Sequence, residues 1–228
     1  MRELQRLDLS AYGRGLVVYA KNPVIALAPL AAALAEILLN QLFGGMFISL
    51  IAYLLQGFGV AVAIIAADLG WRHGHTSFDT AWTEGRRKAP DLLLAALGFG
   101  FVMFAAAYIG GIVGYLGVIL QLLALGFLIY TLPAAAIGGI PGGAALQISV
   151  DRARANPAAT AVLTVVAMIV YIGVIFFAAE PIAMSVFAAT GSAIAGTIVT
   201  ALMKAVAMGY IATILAKVYS DISYGRRY

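Results

Sequence analysis

Hydrophobic and polar residues along this chain gather into long blocks instead of alternating. Three apolar blocks stand out. Val24 to Ala67 holds one acid, Glu36; Leu92 to Ile137 holds no charge; Ala158 to Ala216 holds Glu180 and Lys204. A helix rises about 1.5 Å per residue, so a hydrocarbon core of about 30 Å takes about twenty residues to cross. Each block is too long for one crossing and suits a hairpin of two. Breaks are expected at Asn40–Gln41 with Gly44–Gly45, near Gly110–Gly111 and Gly114, and from Glu180–Pro181 through Ser192. They place spans at roughly 24–43, 46–68, 91–110, 113–137, 158–179 and 193–216. Backbone groups in lipid must be paired internally, and continuous apolar runs lack the alternation of barrel strands, so the pattern predicts helices.

Composition agrees. Of 228 residues, 63% are apolar and 11% charged, with a mean hydropathy of +1.00, whereas soluble domains run near half apolar and a quarter charged. There is no cysteine, which excludes a disulfide framework, a thiolate metal site and a cysteine nucleophile. The first long apolar run begins only after Pro23, later and longer than the core of a cleavable signal. It reads as a retained helix.

Charge placement orients these spans. Thirteen of the 14 basic residues lie in four places: Arg2, Arg6, Arg14 and Lys21; Arg72, Arg86, Arg87 and Lys88; Arg152 and Arg154; Lys217, Arg226 and Arg227. Six spans put all four on one face, and the three opposite turns hold no Lys or Arg. The positive-inside rule makes that face cytoplasmic, with both termini there, in a bacterial inner membrane.

Three short motifs close the cytoplasmic segments: Lys21-Asn22-Pro23, Lys88-Ala89-Pro90 and Ala155-Asn156-Pro157, with prolines 67 residues apart in both intervals. Proline stops one helix and fits the first turn of the next. The spacing predicts a single membrane domain, 1–228, of three repeats near 10–68, 76–137 and 144–217, each an interfacial amphipathic helix followed by a transmembrane hairpin. Phe78, Ala81, Trp82 and Gly85 form the clearest stripe, with Tyr12, Leu16 and Tyr19 in the first unit and Leu146, Val150 and Ala153 in the third. Arg14, Lys21, Trp82, Arg86, Arg87, Lys88, Arg152 and Arg154 are the expected headgroup contacts, where anionic lipid attracts Lys and Arg.

The segments TSFDTAWTEGRRKAPDLLLAAL and AALQISVDRARANPAATAVL resemble the repeating segments of a broad bacterial polytopic group. That group includes the YciC-like proteins and the membrane domain found beside some glycerophosphodiester phosphodiesterases. The resemblance implies a six-helix membrane module of undefined activity. A soluble phosphodiesterase domain is absent from this sequence, so its chemistry does not carry over.

Glu36 and Lys204 are the sharpest candidates for chemistry. An ionised group at that depth costs several kcal/mol unless paired or hydrated. They are expected to approach each other, as a polar site or proton path or as a structural ion pair. Gln56 and Gln121, midway along spans two and four, join this candidate intramembrane polar site, with interhelical hydrogen bonding as the plainer role. Glu180 falls at the outer edge of the fifth span, where water reaches it. His73 and His75 form a His-Gly-His pair near Asp68 and Asp79, but nothing fixes a metal geometry, and no metal or cofactor is expected. Gly110-xxx-Gly114 and Gly191-xxx-Ala195-Gly196 suit close helix packing. No phosphate-cradling G-x-x-x-x-G-K-[ST] motif occurs, and basic clusters at span ends do not call for nucleic acid. Three readings follow. The first is a non-catalytic module organising lipid, a membrane-protein partner or a second copy; the second, a carrier or channel using Glu36 and Lys204; the third, an intramembrane lipid enzyme, which lacks any motif.

Overall fold

A computed structural model describes residues 8–43, 45–113 and 115–224. Arg2, Arg6, Gly44, Gly114, Arg226 and Arg227 lie outside the described residues, which form helices and no strand. In chain order the helices are α1 (Ser10–Lys21), α2 (Leu27–Leu42, entered through a 3₁₀ turn at Pro23–Ala26), α3 (Met46–His73), α4 (Phe78–Arg87), α5 (Ala89–Val113) and α6 (Tyr115–Leu128). They continue as α7 (Thr131–Ala136), α8 (Gly142–Ala155), α9 (Pro157–Val174), α10 (Glu180–Thr190) and α11 (Ala193–Tyr224). Among the described residues six stretches are long and apolar enough to cross a membrane: Pro23–Leu42, Ile48–His73, Ala89–Ile112, Gly117–Ala136, Pro157–Thr190 and Ala193–Ser223. The chain therefore has the build of a multi-pass helical membrane protein.

Tight turns make α2 and α3, α5 and α6, and α10 and α11 antiparallel partners that pack on one another. One end of the bundle carries those turns; the short helices α1, α4 and α8 and the charged segments share the other. The spans of α3 and α11 are 44% and 50% buried, against 17% for the stretch from Pro157 to Thr190. The core is therefore built on α3 and α11, with Ile25, Ile64, Leu92, Leu163, Ile214 and Tyr219 fully buried around them. The outer faces of the helices around this core carry exposed side chains such as Phe101, Phe104, Ile119, Ile169 and Phe177, as a surface solvated by acyl chains requires.

Three of the expected boundaries move. The fifth span does not break at Glu180–Pro181: α9 and α10 join through a π turn at Ile175–Ala179, and the chain reverses at Gly191, with φ 66°. Pro181 has no N–H for the Phe177 carbonyl, and the wider turn, in which the Glu180 amide bonds to Ile175, lets the helix absorb that loss. The third span runs through Gly110–Gly111 to Val113. Gly110 instead meets Gly117 across the hairpin, so close that a Cβ on either would strike the other's backbone. The fourth span is interrupted at Ile129–Tyr130, between α6 and α7. Pro133 cannot donate to the Ile129 carbonyl, and Ser149 of α8 repairs the break. Its hydroxyl donates to the Phe127 carbonyl at 2.8 Å and accepts from the Tyr130 amide at 3.0 Å.

Two of the three expected stripes also shift. On α8 the buried line is Gly142, Ala145, Ser149 and Ala153, with Leu146 and Val150 on its flanks. On α1 it is Ala11 and Gly15, flanked by Tyr12 and Tyr19, while Leu16 is 55% exposed. Small residues let these helices lie close against the bundle, and the large ones wedge in at the sides. On α4 the stripe is as expected: Ala81 and Gly85 are buried, and the Trp82 ring packs against Phe78 at 5.8 Å and Phe58 at 5.7 Å.

Candidate functional site

The bundle brings Glu36 of α2 and Lys204 of α11 together. Their carboxylate Oε2 and ammonium Nζ are 3.6 Å apart, and the side chains keep 34% and 26% exposure. Gln56 of α3 donates to the same Glu36 oxygen. These three residues come from the two central helices and the α2 hairpin partner, so the α2–α3 and α2–α11 packing holds them in place. At 3.6 Å the ion pair is longer than a charge-assisted hydrogen bond. Among the described residues no hydrogen bond is made by the Lys204 ammonium or by Glu36 Oε1.

The pair forms the floor of an open cleft of about 440 Å³, lined on α2 by Ala33, Glu36, Ile37, Asn40 and Gln41, and on α11 by Thr197, Thr200, Ala201 and Lys204. The spacing explains the lining: Glu36 and Asn40 share one face of α2, as Thr197, Thr200 and Lys204 share one face of α11. The cleft climbs from the ion pair toward the end of the bundle that carries the α2–α3 turn. Thr197 and Thr200 donate to their own helix at Ala193 and Gly196, leaving their oxygen lone pairs toward the cleft as acceptors. The Asn40–Gln41 pair, expected only as a break, is inside α2 and supplies two amides to the rim. Sequence reasoning missed both threonines, because a threonine in an apolar helix carries no signal until the neighbouring helix is known. Gln121 belongs elsewhere: it is half-buried on α6, which packs on α5, α8 and α9.

At the other end a second network was not foreseen. Asp68 pairs with Arg72 at 2.6 Å and meets the Ser220 hydroxyl at 3.5 Å, and Lys217 pairs with Asp221 at 2.5 Å while its side chain is 4% exposed. Lys217 also lies 5.8 Å from the Trp71 ring centroid, and the Trp71 indole donates to the Thr213 carbonyl. The i, i+4 spacings of Asp68 with Arg72 and of Lys217 with Asp221 were visible in the sequence; the join between α3 and α11 was not. A second cavity, of about 550 Å³, opens here between Asp68, Arg72, Asp79, Glu84 and Lys88.

The expected headgroup contacts divide. Lys21, Arg86 and Arg154 are exposed, Arg152 is partly covered, and Arg14 pairs with Asp8 at 2.5 Å. Arg87 is exposed and bonds Glu84 at 2.7 Å. Lys88 turns inward to Glu84 at 3.0 Å and to the last-turn carbonyl of Ala136 at 2.7 Å, where a cation suits the helix end. The Arg87 hydrogen bond, aided by Lys88, holds the Glu84 carboxyl below its ordinary range. Burial pushes the Tyr12 and Tyr19 phenols up. His75 Nδ1 lies 3.1 Å from the His73 carbonyl, both side chains are exposed, and no group of three or more His, Cys, Asp or Glu able to hold a metal occurs among the described residues. Glu180 is exposed at the start of α10.

Fold and site together define a multi-pass helical membrane protein with a zwitterionic cleft between two of its spans. The chain matches no protein-family model, no curated protein and no solved structure.

Proposed function

We propose that this protein is a non-catalytic module of the bacterial inner membrane that organises lipid, and that the α2–α11 cleft is where it holds a lipid molecule. The carrying observation is the Glu36–Gln56–Lys204 cluster, whose two charges face each other at 3.6 Å while both stay open to the cleft. A purely structural pair would close to hydrogen-bond length and be covered, because an ion left short of partners in hydrocarbon is costly. The basic end faces the cytoplasm in this reading, with both termini, and Lys21, Arg86, Arg87 and Arg154 lie against anionic headgroups.

A threefold repeat of surface helix plus hairpin belongs to the same proposal. The Asn22 and Asn156 corners support it: their backbone angles are −131°, 61° and −134°, 60°, and each side-chain amide donates to the carbonyl four residues back. The resemblance to the YciC-like group points the same way.

A second reading, a carrier, draws on the polar lining that reaches from the turn end to the ion pair. The two separate in one experiment. Protein extracted with its surrounding membrane in polymer discs should retain one lipid class above its bulk proportion. The Glu36→Gln/Lys204→Met double variant, equally folded by circular dichroism, should lose that enrichment. Bulk lipid composition in both would refute the lipid-organising role, and solute uptake into proteoliposomes that depends on the pair would establish the carrier.

A further inference from the structure

We infer that the α2–α11 cleft selects a zwitterionic aminophospholipid headgroup, with its phosphate on Lys204 and its primary ammonium on Glu36 and the hydroxyl and amide rim. The inference rests on the lipid-holding reading above and names the lipid.

The argument starts from unmet valences. A lysine ammonium has three donors and a carboxylate about four acceptor sites. Gln56 fills one of the Glu36 sites, while the Lys204 Nζ is 3.6 Å from that carboxylate. Each charge therefore lacks hydrogen-bonding partners of the opposite kind. An anionic lipid would satisfy Lys204 and be repelled by Glu36. A lone cation would do the reverse. One molecule carrying both charges a few bonds apart satisfies both, and its own dipole runs against that of the pair.

Depth fits a headgroup. Glu36 is six residues before the end of α2, about 9 Å at the helical rise, which places it just below the headgroup layer at the turn end. Lys204 is eleven residues into α11, about 17 Å from its start; the α10–α11 hairpin reaches farther out than the α2–α3 turn. The cleft is open along its length, so acyl chains can leave it sideways into the bilayer. Its volume of about 440 Å³ lies in the range of small-molecule sites, roughly 300–1,000 Å³.

The rim favours a primary amine over a methylated one. Thr197 and Thr200 have spent their protons on their own helix, so they offer lone pairs, as do the Asn40 and Gln41 side-chain carbonyls. A primary ammonium has three N–H groups to give to such acceptors and to Glu36. A trimethylammonium group has none.

The test uses the full-length protein in vesicles of phosphatidylglycerol alone, or mixed with phosphatidylethanolamine or with phosphatidylcholine. Bound lipid is read by native mass spectrometry and stability by thermal unfolding. Phosphatidylethanolamine should be retained several-fold over phosphatidylcholine and phosphatidylglycerol, and should raise the unfolding temperature. Glu36→Gln should keep phospholipid but lose the preference for the primary amine. Lys204→Met should lose retention, while Lys204→Arg, which keeps the cation should Lys204→Met fail to fold, should preserve it. Retention that depends on the cleft but ignores the headgroup would overturn the headgroup assignment alone. Retention indifferent to every substitution would overturn the lipid-holding reading as well.

Discussion

Asn22 and Asn156 show how one residue type at one kind of corner can do unequal work. Both side chains donate to the carbonyl four residues back, at 2.9 and 3.1 Å. Only Asn22 also reaches across the chain, accepting from the Thr76 amide at 2.8 Å and donating to the Gly74 carbonyl at 3.3 Å. It is 3% exposed, so its loss would leave buried polar groups unmatched. Asn22→Ala is expected to cost about 1–3 kcal/mol and to speed amide exchange across α1, whereas Asn156→Ala costs about 1 kcal/mol or less. Equal losses in thermal unfolding would contradict this account. The same contrast governs the site. Glu36 and Lys204 were legible because a charge in an apolar block has few uses, and Gln56 because it is polar at mid-span. Gln121 carried the same signal yet lies apart from the cleft, since polarity marks depth but not direction.

At the scale of elements, the position of α2 against α3 decides whether Gln56 reaches Glu36. Gly59 permits the approach: a Cβ there would come within 2.8 Å of the Ala28 carbonyl and 3.0 Å of the Ala32 methyl. Gly59→Leu should force the helices apart, costing about 1–3 kcal/mol, and should displace Gln56, one turn away, from Glu36. Gly173→Leu on α9, where nothing lies within 4 Å, should leave the unfolding temperature unchanged. A similar loss for both variants would show that added bulk, not this contact, is responsible. The π turn before Pro181 and the break before Pro133 belong to the same scale. A break was expected at Pro181 and none at Pro133, and in each case the neighbours decided the outcome. Ser149 is present to bridge the gap at Tyr130, so α6 and α7 can part. Near Pro181 the helix stays continuous and absorbs the missing bond in a wider turn.

For the whole molecule the leading question is its orientation. The absence of cysteine makes single-cysteine labelling direct. His75→Cys, in the exposed segment between α3 and α4, should react with an impermeant maleimide only in inverted vesicles. Thr190→Cys, exposed at the α10–α11 turn, should react in intact cells. The opposite pattern would reverse the proposed topology and move the cleft to the cytoplasmic leaflet.

Several properties were settled by the sequence alone. Block length and hydropathy determine that the chain is helical and has six stretches able to cross a membrane, because internal hydrogen bonding and apolar length leave few alternatives. The tertiary structure decided which helix faces which. It set α11 beside both α2 and α3, so that Lys204 met Glu36, Lys217 came over the Trp71 ring and Ser220 reached Asp68. It also chose small residues instead of large ones for the buried lines of α1 and α8, because these helices lie so close against the bundle that a Cβ at Gly15 would crowd Ile214 and one at Gly142 would strike the Asp91 backbone.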